Sequence, residues 1–203
     1  MRVLLLAGGI GKRLRPLTYR TPKPLIKIGN KPCLEYILSS LSQSGFNKNI
    51  LSLYYKPDMF SRYVTDPRVL LVQTQTEDLG TAGALKNAGE WLSDPFGVWN
   101  CDTISNTDLN DMLKFHKDSK ALGTVFTKQD LIHSGGVYIF NKEILDYIPT
   151  NTYYSLHQDL IPKLIKLKIP LKKYKSRKYY YYDIGAPDKL EEANGRFNPL
   201  SVL

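Results

Sequence analysis

Short apolar runs that close on glycine or aspartate alternate along this chain with segments of helical period, and that alternation most restricts how it can fold. RVLLLAG closes on glycines, NILSLYY and RVLLVQTQ follow, FGVWNCDT closes on an acidic residue, and ALGTVFT and GGVYIFN come next. Short runs so continuously apolar are the strands of a sheet buried on both faces, as parallel sheets are. Between them, KPCLEYILSSLSQSG sets Leu34, Ile37, Leu38 and Leu41 on one helical face and stops at Gly45. GTAGALKNAGEWL begins an alanine-rich helix, and DLNDMLKFHKDSK is helical with Thr107 or Asp108 as its cap. HQDLIPKLIKLK reads as a helix interrupted by Pro162; KYYYYDIG reads as a last strand before APDKLEEANGRF, a helix with Pro187 near its start. Repeated β-α units predict an α/β fold with a mostly parallel central sheet covered by helices on both faces.

The length of 203 residues suits one domain. No apolar run approaches the roughly 20 residues of a membrane helix, and glycines cut MRVLLLAGG short of a signal peptide. Only Cys33 and Cys101 are present, which indicates no disulfide framework and makes the cytoplasm the expected compartment. The net charge of +9 suits nucleic acid, an anionic membrane surface or small phosphorylated substrates. The densest basic run, LKKYKSRKYYYY, alternates like an exposed strand and reads as a solvated face. No standard nucleic-acid module is present, so neither nucleic acid nor membrane is expected as a partner.

In a parallel sheet ligands gather at the carboxyl ends of the strands, which predicts that Gly8, Asp102 and Asp183 line one edge. The stretch LLLAGGIGKRLRPLT carries most of the chemistry. Gly8, Gly9 and Gly11 let the backbone approach an anion, and consecutive N–H groups can cradle phosphate. A dinucleotide fingerprint, G-x-G-x-x-G, fails here because Leu14 stands where the third glycine belongs, and the P-loop pattern fails too. Cations follow instead, and Pro22 and Pro24 bracket Lys23 in TPKPL, restricting the backbone that carries its ammonium. Taken alone, the stretch is also compatible with a tight strand-to-helix turn bearing solvent lysines.

LAGGIGKRLRPLT followed by TPKPL resembles the G-G-x-G-x-R-L-x-P-L-T and P-K-P signature of the sugar-1-phosphate nucleotidyltransferases. Three further segments match that family in order: LGTAGAL at 79–85, in the form of guanylyl-transferring members, NCD at 100–102, and DIGAPDKL at 183–190. The resemblance implies a Rossmann-like three-layer α/β/α fold, the nucleotide-diphospho-sugar transferase fold. It implies a nucleotide-binding half over residues 1–110 and a sugar-binding half over 111–203. The implied reaction is NTP plus sugar 1-phosphate to NDP-sugar plus pyrophosphate, with GTP and a mannose- or heptose-type acceptor. Transfer of UMP, dTMP or CMP is the alternative, and a non-catalytic nucleotide-sugar-binding protein a more distant one. The resemblance gives catalytic roles to Arg13 and Lys23, and Mg²⁺ to Asp102 and Asp183. Nucleotide contacts fall to Leu6, Ala7, Gly8, Gly9, Gly11, Gln75, Gly80, Thr81 and Asn100. A monomer or homodimer is expected, and the lack of a β-helix after DIGAPDKLEEAN sets the chain apart from longer relatives.

The sugar half departs from the family pattern. Only KQDLIHS stands where a longer segment with E-K-P is usual. HSGG resembles I-N-G-G with Ser134 in place of Asn, and YSLHQDLIP resembles F-S-L-E-x-D-L-I-P with His157 in place of the acid. Ser134, Gly136, His157 and Asp159 are the expected sugar contacts, with Tyr154 beside them. A helix-start cap at Ser155 with a solvent-facing His157 is the alternative.

Overall fold

The computed structural model describes residues 1–74, 76–127, 134–176 and 180–197. In chain order the first half holds β1 (Val3–Leu6), a ribbon of β2 (Lys27–Ile28) and β3 (Lys31–Pro32), α1 (Cys33–Gln43), β4 (Asn49–Leu53), α2 (Pro57–Tyr63), β5 (Val69–Gln73) and α3 (Gly80–Asn87). Next come β6 (Phe96–Asn100), β7 (Thr103–Ser105), α4 (Leu109–Ser119), β8 (Gly123–Thr127) and β9 (Ser134–Phe140). The chain then forms α5 (Ile161–Lys166), β10 (Leu171–Tyr174), β11 (Tyr181–Asp183) and α6 (Pro187–Phe197).

Seven strands form the central sheet in the order β10-β8-β9-β6-β1-β4-β5. Every neighbouring pair is parallel except the two made by β9. The carboxyl ends of β1 and β6 therefore share an edge with the start of β9. Because side chains alternate along a strand, β1 feeds two cores. Val3 and Leu5 enter one with Ile37 of α1, Phe60 of α2, Met112 of α4 and Leu190 of α6. Leu4 enters the other with Leu85 of α3 and Leu164 of α5. Helices thus cover both faces, as the alternation predicts.

Three expectations need correction. KYYYYDIG does not extend the main sheet: its β11 pairs antiparallel with β7 in a separate ribbon, with Asp183 opposite Thr103. Asp102 and Asp183 therefore do not close two strands of one sheet. Asp183 arrives instead by zipping onto the strand that begins just after Asp102. Pro162 does not interrupt its helix, because a π-turn over Leu156–Leu160 precedes α5 and places Pro162 in the first turn of α5. A missing N–H costs little there. Helix α2, absent from the sequence reading, fills the β4–β5 crossover.

The cap of α4 is Asp108, whose carboxylate accepts from the N–H groups of Asn110 at 2.9 Å and Asp111 at 3.1 Å. The basic run supplies the edge strand β10, with Lys172 and Lys173 exposed, charges that discourage pairing with another sheet. Among the described residues no helix is long and apolar enough to cross a membrane. Gln75 and the connection 128–133 lie outside the described residues.

Candidate active site

The glycine-rich turn leaves β1 at the carboxyl edge. Ala7 still donates to Ser52 O at 3.0 Å, and a Cβ on Gly8 would come within 2.9 Å of Tyr54 Cβ, so Gly8 is the point of close packing. Nothing stands within 4 Å of the corresponding position on Gly9, which leaves open space above its backbone. Gly11 reverses the chain at φ +70° and leads into a 3₁₀ turn, Lys12–Leu14. Leu14 is buried in the core while Lys12 and Arg13 are carried outward. The Thr18 hydroxyl donates to Gly11 O at 3.0 Å and closes the loop.

A second 3₁₀ turn, Lys23–Leu25, follows Pro22 in its extended conformation. From it the Lys23 ammonium reaches Asp102 Oδ2 at 2.6 Å, with the two side chains only 13% and 27% exposed. Cys101 donates to Leu6 O at 3.2 Å and Ile184 to Asp102 O at 2.9 Å, so Asp102 is held between β1 and the end of β11. Asp183 accepts from Gly185 N at 2.6 Å, and the Arg13 guanidinium lies so near that a Cβ on Gly185 would be 2.6 Å from its Nη2. Burial, and then the charge of Asp102, raise the Asp183 carboxyl above its ordinary value, opposed by Gly185 N–H, Lys23 and Arg13. Two carboxylates and two cations are thus concentrated in one corner. Burial pushes the Cys33 and Cys101 thiols up, which makes them poor nucleophiles at neutral pH.

The opposite wall is the start of α3. Gly80 adopts φ +72°, and a Cβ there would stand 2.7 Å from Tyr154 O. Ala82 N donates to that same oxygen at 2.8 Å, and Leu156 N donates to Thr81 Oγ1 at 2.8 Å, which fastens the strap 153–156 onto the helix start. Between the walls lies a cleft of about 310 Å³. Leu6, Ala7, Gly8 and Gly9 line one side, Gly80 and Thr81 the other, and Lys23, Asn100 and Asp102 the end. Ser52, Asp78, Tyr153 and Ser155 also line it; no motif in the sequence marks the first three, and Ser155 is marked there only as a helix cap. Asn100 Oδ1 is buried with no hydrogen-bond partner among the described residues.

The remaining candidates sit beside this cleft. Gly136 abuts Asn100, since a Cβ on it would be 3.3 Å from Asn100 Cβ. Ser134 Oγ lies 2.8 Å from His157 Nε2. Asp159 accepts from Ser155 N at 2.7 Å while Ser155 Oγ accepts from Gln158 N at 3.2 Å, a reciprocal cap that starts the π-turn. The cap at Ser155 is therefore present, and His157 faces Ser134 instead of solvent. The Tyr154 ring lies under the Lys163 ammonium, 5.9 Å from its centroid.

A cleft with glycine backbone along one wall and a lysine paired with a carboxylate at its end can hold an anion and neutralise it; Asp183 and Arg13 stand behind that end and do not line the cleft. Fold and site together define a three-layer α/β protein with a glycine-lined cleft at the carboxyl edge of its sheet. The profile of the Nucleotidyl transferase family matches residues 2–134 and 127–198, and the chain belongs to that family. It is 30% identical over 219 residues to a UTP–glucose-1-phosphate uridylyltransferase of Synechocystis, covering 84% of this chain and 56% of that protein. It is 39% identical over 152 residues to the mannose-1-phosphate guanylyltransferase catalytic subunit beta of Xenopus tropicalis, covering 70% and 42%. The chain thus spans about half the length of these curated relatives. Among solved structures, HddC from Yersinia pseudotuberculosis complexed with GMP-PN superposes with a TM-score of 0.83 at 27% identity, over 97% of this chain and 99% of that one.

Proposed function

We propose that this protein transfers a nucleotidyl group from a nucleoside triphosphate to a sugar 1-phosphate, releasing pyrophosphate, with GTP as donor and a mannose- or heptose-type acceptor. The 2.6 Å pair of Lys23 and Asp102, set at the end of the glycine-lined cleft, carries the reading. The Xenopus relative's name and the guanine nucleotide held by HddC favour guanylyl transfer. The Synechocystis relative keeps uridylyl transfer as the second reading; thymidylyl or cytidylyl transfer would be told apart by the same assay.

In this scheme the backbone from Leu6 to Gly11 cradles the triphosphate, with the base and ribose against Gly80, Thr81 and Asn100. A phosphate oxygen of the sugar 1-phosphate attacks the α-phosphorus, the bond to the bridging oxygen breaks, and its electron pair leaves with pyrophosphate. Lys23 brings a point charge to the α-phosphate and the incoming phosphate, holding two anions together against their repulsion. Arg13 offers a planar fork to the departing pyrophosphate. Gly136, with Ser134, His157 and Asp159 around it, forms the sugar side.

Asp102 and Asp183 fit a divalent cation: hard oxygen donors, already forced together, one with its carboxyl raised by burial and by its neighbour. Among the described residues no cluster of three or more metal-binding side chains exists. The ion we propose is Mg²⁺, which takes one or two carboxylates and keeps waters and substrate phosphates in the rest of its shell. When bound, such an ion supplies charge neutralisation on the phosphate oxygens. Asp102 and Asp183 would hold such an ion, and Lys23, paired with Asp102 at 2.6 Å, would carry its ammonium beside it toward the phosphates. We place the protein in the cytoplasm as a monomer or homodimer, acting on neither nucleic acid nor membrane.

Incubating the protein with each NTP, Mg²⁺ and a panel of sugar 1-phosphates, with pyrophosphate as the readout, tests this. Fastest release with GTP and a manno-configured acceptor is expected. Absence of release with every pair overturns the reading.

A further inference from the structure

The two positions at which the sugar half departs from the motif it resembles touch each other. Ser134 Oγ lies 2.8 Å from His157 Nε2, and a third group joins them: the Tyr138 hydroxyl, 2.6 Å from Ser134 Oγ and 3.1 Å from the same His157 nitrogen. Tyr138 is fully buried in β9, its ring stacked on Phe140 at 5.6 Å between centroids. Gly136 N adds a fourth contact, donating to Ser134 Oγ at 3.3 Å. Ser134 Oγ is therefore the point at which these contacts meet.

Counting protons assigns the donors. The triangle holds the Ser134 and Tyr138 hydroxyl protons. With Nε2 unprotonated, Ser134 donates to the imidazole and Tyr138 donates to Ser134, so both protons are used. With Nε2 protonated, the imidazole donates to one hydroxyl and that hydroxyl to the other, and the last proton has no acceptor in the triangle. With Nε2 as the acceptor, the Tyr138 hydroxyl fixes which way Ser134 points.

The network also spans two walls. Ser134 holds Gly136, which abuts Asn100 and Thr103, the residues that flank Cys101 and Asp102. His157 belongs to the segment whose preceding residues are fastened to Thr81 and line the cleft. We propose that Ser134, Tyr138 and His157 act as one interlocked unit that sets the acceptor side of the cleft and so selects the sugar 1-phosphate. Tyr138 is its positioning residue. The unit rests on the transferase reading above, deepening it on the acceptor side alone.

Kinetics and histidine NMR test it. Tyr138→Phe, which removes one oxygen and keeps the ring, Ser134→Ala and His157→Gln are expected to raise KM for the sugar 1-phosphate about tenfold. KM for the nucleotide is expected to stay within about twofold, since no member touches the Gly8–Gly80 side. Ser134→Ala combined with His157→Gln is expected to cost no more than either alone. The ¹⁵N spectrum of the wild type is expected to show His157 Nε2 unprotonated at neutral pH, and Tyr138→Phe to mix the tautomers. Wild-type turnover with unchanged acceptor KM in all three variants, additive effects in the double variant, or an identical tautomer mixture with and without the Tyr138 hydroxyl each overturns the unit while leaving the transferase reading standing. A wild type that releases no pyrophosphate with any pair overturns the transferase reading, and the acceptor role with it.

Discussion

Lys23 and Asp102, 79 residues apart in sequence, meet at 2.6 Å where the glycine-lined cleft ends. Neither is there for bulk: Lys23 sits on a proline-bracketed 3₁₀ turn and Asp102 on the turn between β6 and β7. Each charge is the other's partner in the structure, and both are largely removed from solvent.

Lys23→Met and Asp102→Asn are each expected to lower kcat by about 10²–10³, the usual cost of removing one preorganised charge at a reacting phosphate or acyl centre. Because the two residues act at one place, the double variant is expected to fall little further than the worse single one. Asp102→Asn should in addition raise the Mg²⁺ concentration that gives half-maximal rate, which Lys23→Met should not. Steady-state pyrophosphate release across a Mg²⁺ series checks both. Additive losses would show that the contact has no part in turnover.

Arg13→Lys isolates shape from charge. The guanidinium packs against Gly185 beside Asp183, and an ammonium there keeps the charge but loses the planar fork. Loss of one charge-assisted hydrogen bond, about 1.5 kcal/mol or more, lowers kcat/KM for the nucleotide about tenfold. Unchanged kcat/KM would remove Arg13 from the phosphate-binding set.

Much of this site is legible in the sequence because its parts sit at strand ends. A buried parallel strand must be a short apolar run, so the residues following Leu6 and Trp99 mark the sheet edge without further information. Asp183 reaches Asp102 by a route that strand-end placement does not predict: β11 joins β7, and pairing in a three-residue ribbon leaves no periodicity to read. Contacts between distant side chains are equally silent. Nothing in HSGG or YSLHQDLIP says that Ser134 and His157, 23 residues apart, share a hydrogen bond. The strap 153–156 is invisible for the same reason, since it is held by backbone groups of Tyr154 and Leu156, which any residues would supply.

His116 gives the protein an acid-sensitive joint away from the site. Its Nε2 lies 2.9 Å from Asn141 Oδ1 and its Nδ1 2.9 Å from Thr124 Oγ1, which ties α4 to β8 and the end of β9. An amide oxygen only accepts, so Nε2 carries the proton and Nδ1 takes the threonine's. Burial lowers the His116 pKa from its ordinary 6.5. The unfolded chain therefore binds more protons, and this contribution to stability is complete above about pH 6.5 and declines as pH falls toward the folded value. His116→Gln is expected to flatten the pH dependence of Tm between pH 6.5 and 5. Unfolding curves for both proteins check it; parallel curves would assign the acid sensitivity elsewhere.

Gly80→Ala tests whether the strap and the helix start form one wall. A side chain at φ +72° costs roughly 1–2 kcal/mol by itself, and here its Cβ would also meet Tyr154 O at 2.7 Å. Backbone on both sides must shift, and the N–H groups at the start of α3 shift with it. Gly45→Ala supplies the comparison, with φ +82° and nothing within 4 Å of the added carbon. Both variants are expected to lose stability, at about 2–4 °C of Tm per kcal/mol for a chain of this size. Only Gly80→Ala is expected to lose nucleotide affinity as well, measured by titration calorimetry with a non-hydrolysable triphosphate. Equal affinity in the two variants would separate the strap from the nucleotide wall and make its bonds to Thr81 and Ala82 purely structural.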